Sequence, residues 1–149
     1  ADALDIGGLS TRPDQGAHVG PDEEWRRLEP VLTSLAGRVS IPLSVDTYRA
    51  SVARRALEAG ASMINDVSGL TADPEMAGVV ADSGAGLVLM HALGAPEAMH
   101  SPREYGDVGL EVRDFLAARM AEAVARGVAP ERIVLDPGIG FSKRADQSR

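Results

Sequence analysis

The sequence predicts an α/β protein of the (β/α)8-barrel class, with about five of the eight β/α units present. Three observations carry this reading. Short apolar runs alternate without a break with amphipathic stretches of helical period, the pattern of parallel strands joined by right-handed crossovers. The connections from helix to strand are short, whereas the stretches leaving the strands are longer and more polar. Several of the apolar runs also stop at a carboxylate or amide, which puts polar groups at the strand ends where barrels gather their sites.

The first strand is expected at about Ala3 to Gly8, followed by a turn-rich loop holding Pro13, Gly16, Gly20 and Pro21. A helix follows from about Asp22 to Leu35. Trp25, Leu28, Val31, Leu32 and Leu35 recur at helical spacing, with Glu23, Glu24, Arg26 and Arg27 on the other faces. Pro30 falls inside it, where a missing N–H argues for a kink. The second strand is Pro42 to Asp46. Thr47 is placed to cap a helix running to about Ala59 and closed by Gly60. The third strand covers about Ser62 to Val67. Asp73-Pro74-Glu75 reads as cap, first-turn proline and first-turn acid of a short helix ending near Gly84. The fourth strand, Leu87 to Met90, runs into His91. A loop with Gly94, Pro96 and Pro102 leads to a long helix, about Tyr105 to Arg126, whose buried face is Val108, Val112, Phe115, Leu116, Met120 and Val124. The fifth strand, Ile133 to Asp136, exits into Pro137-Gly138-Ile139-Gly140-Phe141.

An open doubly wound sheet is the alternative architecture. A dinucleotide fold would need G-x-G-x-x-G after a strand, and Lys143 stands where the third glycine would be. No linker, repeat or low-complexity tract divides the 149 residues, which read as one domain. The formal net charge of −7 argues against non-specific nucleic-acid binding, and no apolar run is long enough to span a bilayer. The absence of cysteine excludes disulfides and thiolate metal sites and suits a cytoplasmic protein.

The chemistry-bearing residues cluster at strand exits. Asp46, Asn65 and Asp136 leave three different strands. Two acceptor carboxylates and an amide can match a flat heterocycle with alternating N–H and C=O groups, such as a 2-amino-4-oxopyrimidine. Acids at strand ends also serve merely to cap the following helix. Ser10-Thr11-Arg12-Pro13 offers a guanidinium fork on a stiffened loop for an anionic or aromatic ligand, or an exposed turn. Phe141 is suited to stack on a ring or to fill core. Met90 suits a pocket wall. His91 reads as a hydrogen-bonded structural residue, and Lys143 with Arg144 as a solvated patch more than a phosphate site. His18 and His100 have no partner at zinc-ligand spacing.

Taken together, Asp5-Ile6-Gly7-Gly8-Leu9-Ser10-Thr11-Arg12-Pro13, Ser44-Val45-Asp46-Thr47, Ile64-Asn65-Asp66-Val67-Ser68-Gly69, Leu89-Met90-His91 and Leu135-Asp136-Pro137-Gly138-Ile139-Gly140-Phe141 resemble the dihydropteroate synthase family over essentially the whole chain. The resemblance implies a TIM barrel and a transferase of folate biosynthesis that joins 4-aminobenzoate to (7,8-dihydropterin-6-yl)methyl diphosphate. It implies that Thr11, Asp46, Asn65, Met90 and Asp136 bind the pterin, with Asp46 and Asp136 catalytic. Thr11, Arg12, Pro13 and Phe141 would handle the aminobenzoate, where sulfonamide inhibitors also sit. Mg²⁺ is implied as a cofactor, with its asparagine ligand expected upstream of Ala1 and so no metal ligand in this stretch. A homodimer is implied as well. Leu9 stands where the family usually has Glu, Asp14 where Gly is common, Ser142 for Gly or Ala and Ser148 for Asn. The family's pterin-contacting Lys and its phosphate-binding Arg and His are expected downstream of Arg149, so this stretch alone is expected not to turn over. Two other functions fit parts of the pattern. A methyltetrahydrofolate-binding corrinoid methyltransferase would share the acids and the amide without needing the Ser-Thr-Arg-Pro loop. A non-catalytic paralogue would account for Leu9.

Overall fold

A computed structural model describes residues 1–10, 19–94, 99, 101 and 103–148. Five strands, β1 (Leu4–Gly7), β2 (Leu43–Asp46), β3 (Met63–Asp66), β4 (Gly86–Met90) and β5 (Ile133–Asp136), alternate with four helices, α1 (Pro21–Leu35), α2 (Ala50–Glu58), α3 (Met76–Ser83) and α4 (Val108–Ala125). All neighbouring strands are parallel, and their spatial order is β1-β2-β3-β4-β5. This order decides between the two architectures. A doubly wound sheet reverses its winding at a switch point, so its strand order cannot follow the sequence throughout. Unbroken sequential order puts every crossover on one face and curves the sheet towards a barrel.

The strand period of two sorts each strand's residues between the faces. Leu43, Val45, Ile64, Leu87 and Leu89 point to the helices and are at most 5% exposed, with Leu4, Ile6 and Ile133 packed beside them. They meet Trp25, Leu28 and Leu32 of α1, Val52, Ala53 and Ala56 of α2, and Met76, Val79 and Val80 of α3. The alternate residues, among them Asp5, Asp46, Asn65, Met90 and Asp136, therefore face the concave side.

Helix ends differ instructively from the sequence expectation. α1 begins with Pro21 at its first turn and passes through Pro30 without ending. Pro30 lies on the exposed face, so the carbonyl it leaves unpaired can be hydrated. Val31 proves 45% exposed, while Glu24, expected on a polar face, is fully buried. α2 starts at Ala50, three residues after Thr47. Thr47 Oγ accepts from Arg49 N at 3.2 Å, and the Ala50 N–H is capped by Asp73 Oδ2 at 2.8 Å from the loop before α3. Asp73 Oδ1 also accepts from Glu75 N at 3.0 Å, so one carboxylate serves two helix starts. α4 begins with a reciprocal cap: Asp107 accepts from Leu110 N at 3.0 Å and Glu111 from Asp107 N at 3.2 Å. Its buried residues are Val112, Leu116 and Ala123, whereas Val124 is 38% exposed.

Candidate functional site

The strand register places the predicted polar residues. Gly7 pairs with Asp46, Asp46 with Asn65, and Asn65 with Val88, forming one row across the concave face. Asp136 pairs with Met90. Because Val88 pairs with Val134, Asp136 stands two residues farther out along its strand, about 7 Å above the Asp46–Asn65 row. The three residues expected to act together thus share one face and one end, but not a single row. Thr11, Arg12 and Pro13 lie outside the described residues.

Asp46 is the electrostatic centre of the row. Burial, then the carboxylates of Asp5, Glu24 and Asp66, push its carboxyl up to about 7. Gly7 beside it carries no side chain, and a Cβ there would come within 3.6 Å of the Asp46 Cβ. Asn65 donates from Nδ2 to Asp5 Oδ2 at 3.0 Å, reaching across β2. Asp66, its neighbour in sequence, faces the other way and is fully buried. It accepts from Ser68 N at 2.9 Å, Ser68 Oγ at 2.6 Å and Leu70 N at 2.9 Å. The amide-acid pair therefore divides into a concave-face amide and a carboxylate that shapes the loop after β3. Burial raises the Asp66 carboxyl despite these donors.

Glu24 approaches from α1. Its Oε2 accepts from Arg49 Nη1 at 2.5 Å, and its buried Oε1 finds no donor. Gly8 makes this approach possible, since a Cβ there would sit 2.7 Å from the Glu24 carbonyl oxygen.

The other half of the mouth is built by the loops after β4 and β5. Asp136 Oδ1 accepts from Gly138 N at 2.8 Å, and its carbonyl from His91 N at 2.9 Å. Gly138 has φ +65°, and a Cβ on it would lie 2.1 Å from the His91 carbonyl oxygen, so only glycine allows this close approach. Met90 joins Val67, Ala92 and Met99 in a second apolar cluster, with Tyr48 and Phe141 packed against it. Met90 and Phe141, assigned to two parts of one site, are thus brought to the same patch.

Lys143, expected in a solvated patch, is instead 8% exposed. Its Nζ lies 2.9 Å from His91 Nδ1 and donates to the carbonyls of Gly138 at 3.0 Å and Phe141 at 3.1 Å. Burial holds the Lys143 ammonium below its ordinary range. Burial and then that ammonium hold the His91 imidazole low. An uncharged ring accepting at Nδ1 follows. His91 is fully enclosed, as a structural histidine should be, and its ring stands edge-on to Phe115 at 4.9 Å. Ser142 Oγ accepts from Leu93 N at 3.0 Å and donates to the Met99 carbonyl at 2.9 Å. Arg144 is exposed and pairs with Glu104 and Asp146. Sequence reasoning passed over Asp5 as a site residue and placed Glu24 and Lys143 in solvent, where the structure buries both. Only the helical phase of Glu24, one position before the buried Trp25, hinted at its burial.

Among the described residues no group of three or more His, Cys, Asp or Glu side chains could hold a metal ion. Among them, too, no helix is long and apolar enough to cross a membrane.

Sequentially ordered parallel strands with acids and an amide at their carboxyl ends define the class: a β/α-barrel segment with polar side chains gathered on its concave face. The chain belongs to the pterin binding enzyme family, whose description fits residues 1–149. It is 48% identical over 149 residues to the dihydropteroate synthase of Synechocystis, covering 99% of this chain and 51% of that protein. Burkholderia cenocepacia dihydropteroate synthase, solved with 7,8-dihydropteroate, superposes with a TM-score of 0.86 at 48% identity, over 97% of this chain and 51% of that one. The Xanthomonas albilineans dihydropteroate synthase solved with 4-aminobenzoic acid gives 0.90 at 43% identity, over 99% and 51%. The chain spans about half the length of the relatives it matches.

Proposed function

We propose that this chain forms the pterin-holding part of a dihydropteroate synthase, a transferase that joins 4-aminobenzoate to (7,8-dihydropterin-6-yl)methyl diphosphate. The observation that carries the reading is the row of Asp46 and Asn65 on the concave face, with Asp136 one pleat beyond. The identity to relatives solved with 7,8-dihydropteroate and with 4-aminobenzoic acid supports the same substrates here.

In this reading the carboxylates of Asp46 and Asp136 accept from the pterin's amino and ring N–H groups. Asn65 keeps one N–H and its carbonyl for the ring edge. The bond from the methylene carbon to the diphosphate oxygen breaks, and its electron pair leaves with the diphosphate. The aminobenzoate nitrogen then bonds to that carbon and loses a proton to solvent. Positive charge develops on the pterin between these events, and fixed carboxylates stabilise it without a protein nucleophile. Met90 and Phe141 supply the apolar wall, with Phe141 beside the aminobenzoate ring where a sulfonamide would compete. Thr11, Arg12 and Pro13 complete that side by resemblance. The family resemblance extends the reading to a Mg²⁺-dependent cytoplasmic homodimer.

The test is diphosphate release by the complete purified protein. Release that requires 4-aminobenzoate and is competed by a sulfonamide is the expected result. Methyl transfer from methyltetrahydrofolate to cobalamin without diphosphate release would replace this reading with the corrinoid one. Calorimetry showing no pterin binding would leave only a scaffold.

A further inference from the structure

We propose that Asp5 is a positioning residue of the pterin site, its carboxylate fixing the Asn65 side-chain amide in the one orientation that presents a carbonyl and an N–H to the ligand. The inference rests on the functional reading above and names a residue that this reading does not use.

The geometry begins with the register. Asp5 pairs with Ser44, and Ser44 with Met63, so Asp5 lies one pleat below the row of Gly7, Asp46 and Asn65. Asp5 and Asn65 sit on β1 and β3, with β2 between them. Adjacent strands lie about 4.8 Å apart, so on a flat sheet the two side chains would diverge. On a concave face they lean together, and Asn65 Nδ2 reaches Asp5 Oδ2 at 3.0 Å. Gly7 helps, because at the Asp46 level β1 presents no side chain to block that line.

An asparagine amide has two donors on nitrogen and an acceptor oxygen, and nothing intrinsic decides which end faces a ligand. A carboxylate only accepts. Opposite Asp5, the flipped amide would set oxygen against oxygen, so Nδ2 must face the carboxylate. Oδ1 and the second N–H are then left for the ring edge. Asp5 also acts on Asp46. The charged groups that act on Asp46 are Asp5 from β1, Glu24 from α1 with its Arg49 partner, and Asp66 from the opposite face of β3. Removing the Asp5 charge therefore lowers the pH at which Asp46 ionises.

The experiment compares wild type, Asp5→Ala and Asp5→Asn in the complete protein. Calorimetry reads the affinity for 6-hydroxymethylpterin, and carbon-13 NMR reads the Asp46 carboxyl midpoint without ligand. Asp5→Ala should bind about tenfold more weakly, the loss of one charge-assisted hydrogen bond. Asp5→Asn should recover part of the affinity, since its side-chain oxygen still accepts from Asn65. Both should lower the Asp46 midpoint. Unchanged affinity overturns the role of Asp5, and so does an affinity loss with an unmoved midpoint, which marks a general structural effect. A wild-type protein that binds no pterin overturns the functional reading instead.

Discussion

Replacing Asp46 with asparagine should make the protein more stable at alkaline pH while weakening its site. The carboxyl has an ordinary value of 3.8 and is raised to about 7 in the folded chain, first by burial and then by Asp5, Glu24 and Asp66. The sign follows from proton linkage. Between these two values the folded state holds a proton that the unfolded state has released, so stability falls as pH rises through the window. A shift of this size corresponds to at most about 4 kcal/mol once Asp46 is fully ionised, at about 1.36 kcal/mol per pH unit. Asp46 keeps some contact with solvent, which screens its neighbours, so about 1–3 kcal/mol is expected. The asparagine side chain is isosteric and neutral at every pH. Urea unfolding of wild type and Asp46→Asn from about pH 5 to about pH 8.5 should give curves that converge in acid and separate in alkali, the variant being the more stable. Groups common to both proteins cancel in the difference. The same substitution should cost pterin affinity about 1–3 kcal/mol, because a charged acceptor is lost. Parallel stability curves would show that Asp46 carries no such strain, and the electrostatic description of the mouth would fall.

Three further outcomes follow from packing. Lys143→Met should cost about 2–4 kcal/mol in denaturant unfolding, since it strips the donor from the Gly138 and Phe141 carbonyls and from His91 Nδ1 inside the structure; a loss below about 0.5 kcal/mol would place that side chain in solvent after all. Gly138→Ala should cost more than about 3 kcal/mol, because its Cβ would overlap the His91 carbonyl oxygen and its φ is +65°; thermal unfolding near the wild-type midpoint would refute that approach. Asp73→Ala should cost about 1–2 kcal/mol by uncapping α2 and freeing the start of α3. Asp73→Asn should recover much of that stability, and an alanine variant as stable as wild type would deny the shared cap.

Much of the architecture is legible in the sequence because it rests on local pattern. The short apolar runs around Val45, Ile64 and Leu87 and the polar residues that end them locate the strands and their functional end. Asp46, Asn65 and Asp136 can be named for that reason. What escapes are contacts between residues remote in sequence. Nothing near Thr47 announces that the cap of α2 comes from Asp73. Nothing near Lys143 announces that its ammonium turns inward to His91, 52 residues away. A carboxylate on a helix usually points outward, which is where the sequence puts Glu24, and Arg49, which makes its burial tolerable, lies 25 residues on. That Asp136 stands one pleat beyond the Asp46–Asn65 row is not legible either, because register between strands is not written in any one of them.

The ammonium lodged between the exits of β4 and β5 ties the history of two segments together. His91 presents a bare ring nitrogen only because Lys143 is there to meet it, and Lys143 can be enclosed only because that nitrogen and two carbonyls receive it. Neither position is free to drift alone. Descendants of this chain that exchange one for an apolar residue should exchange the other as well, so the two columns of an alignment ought to change in step.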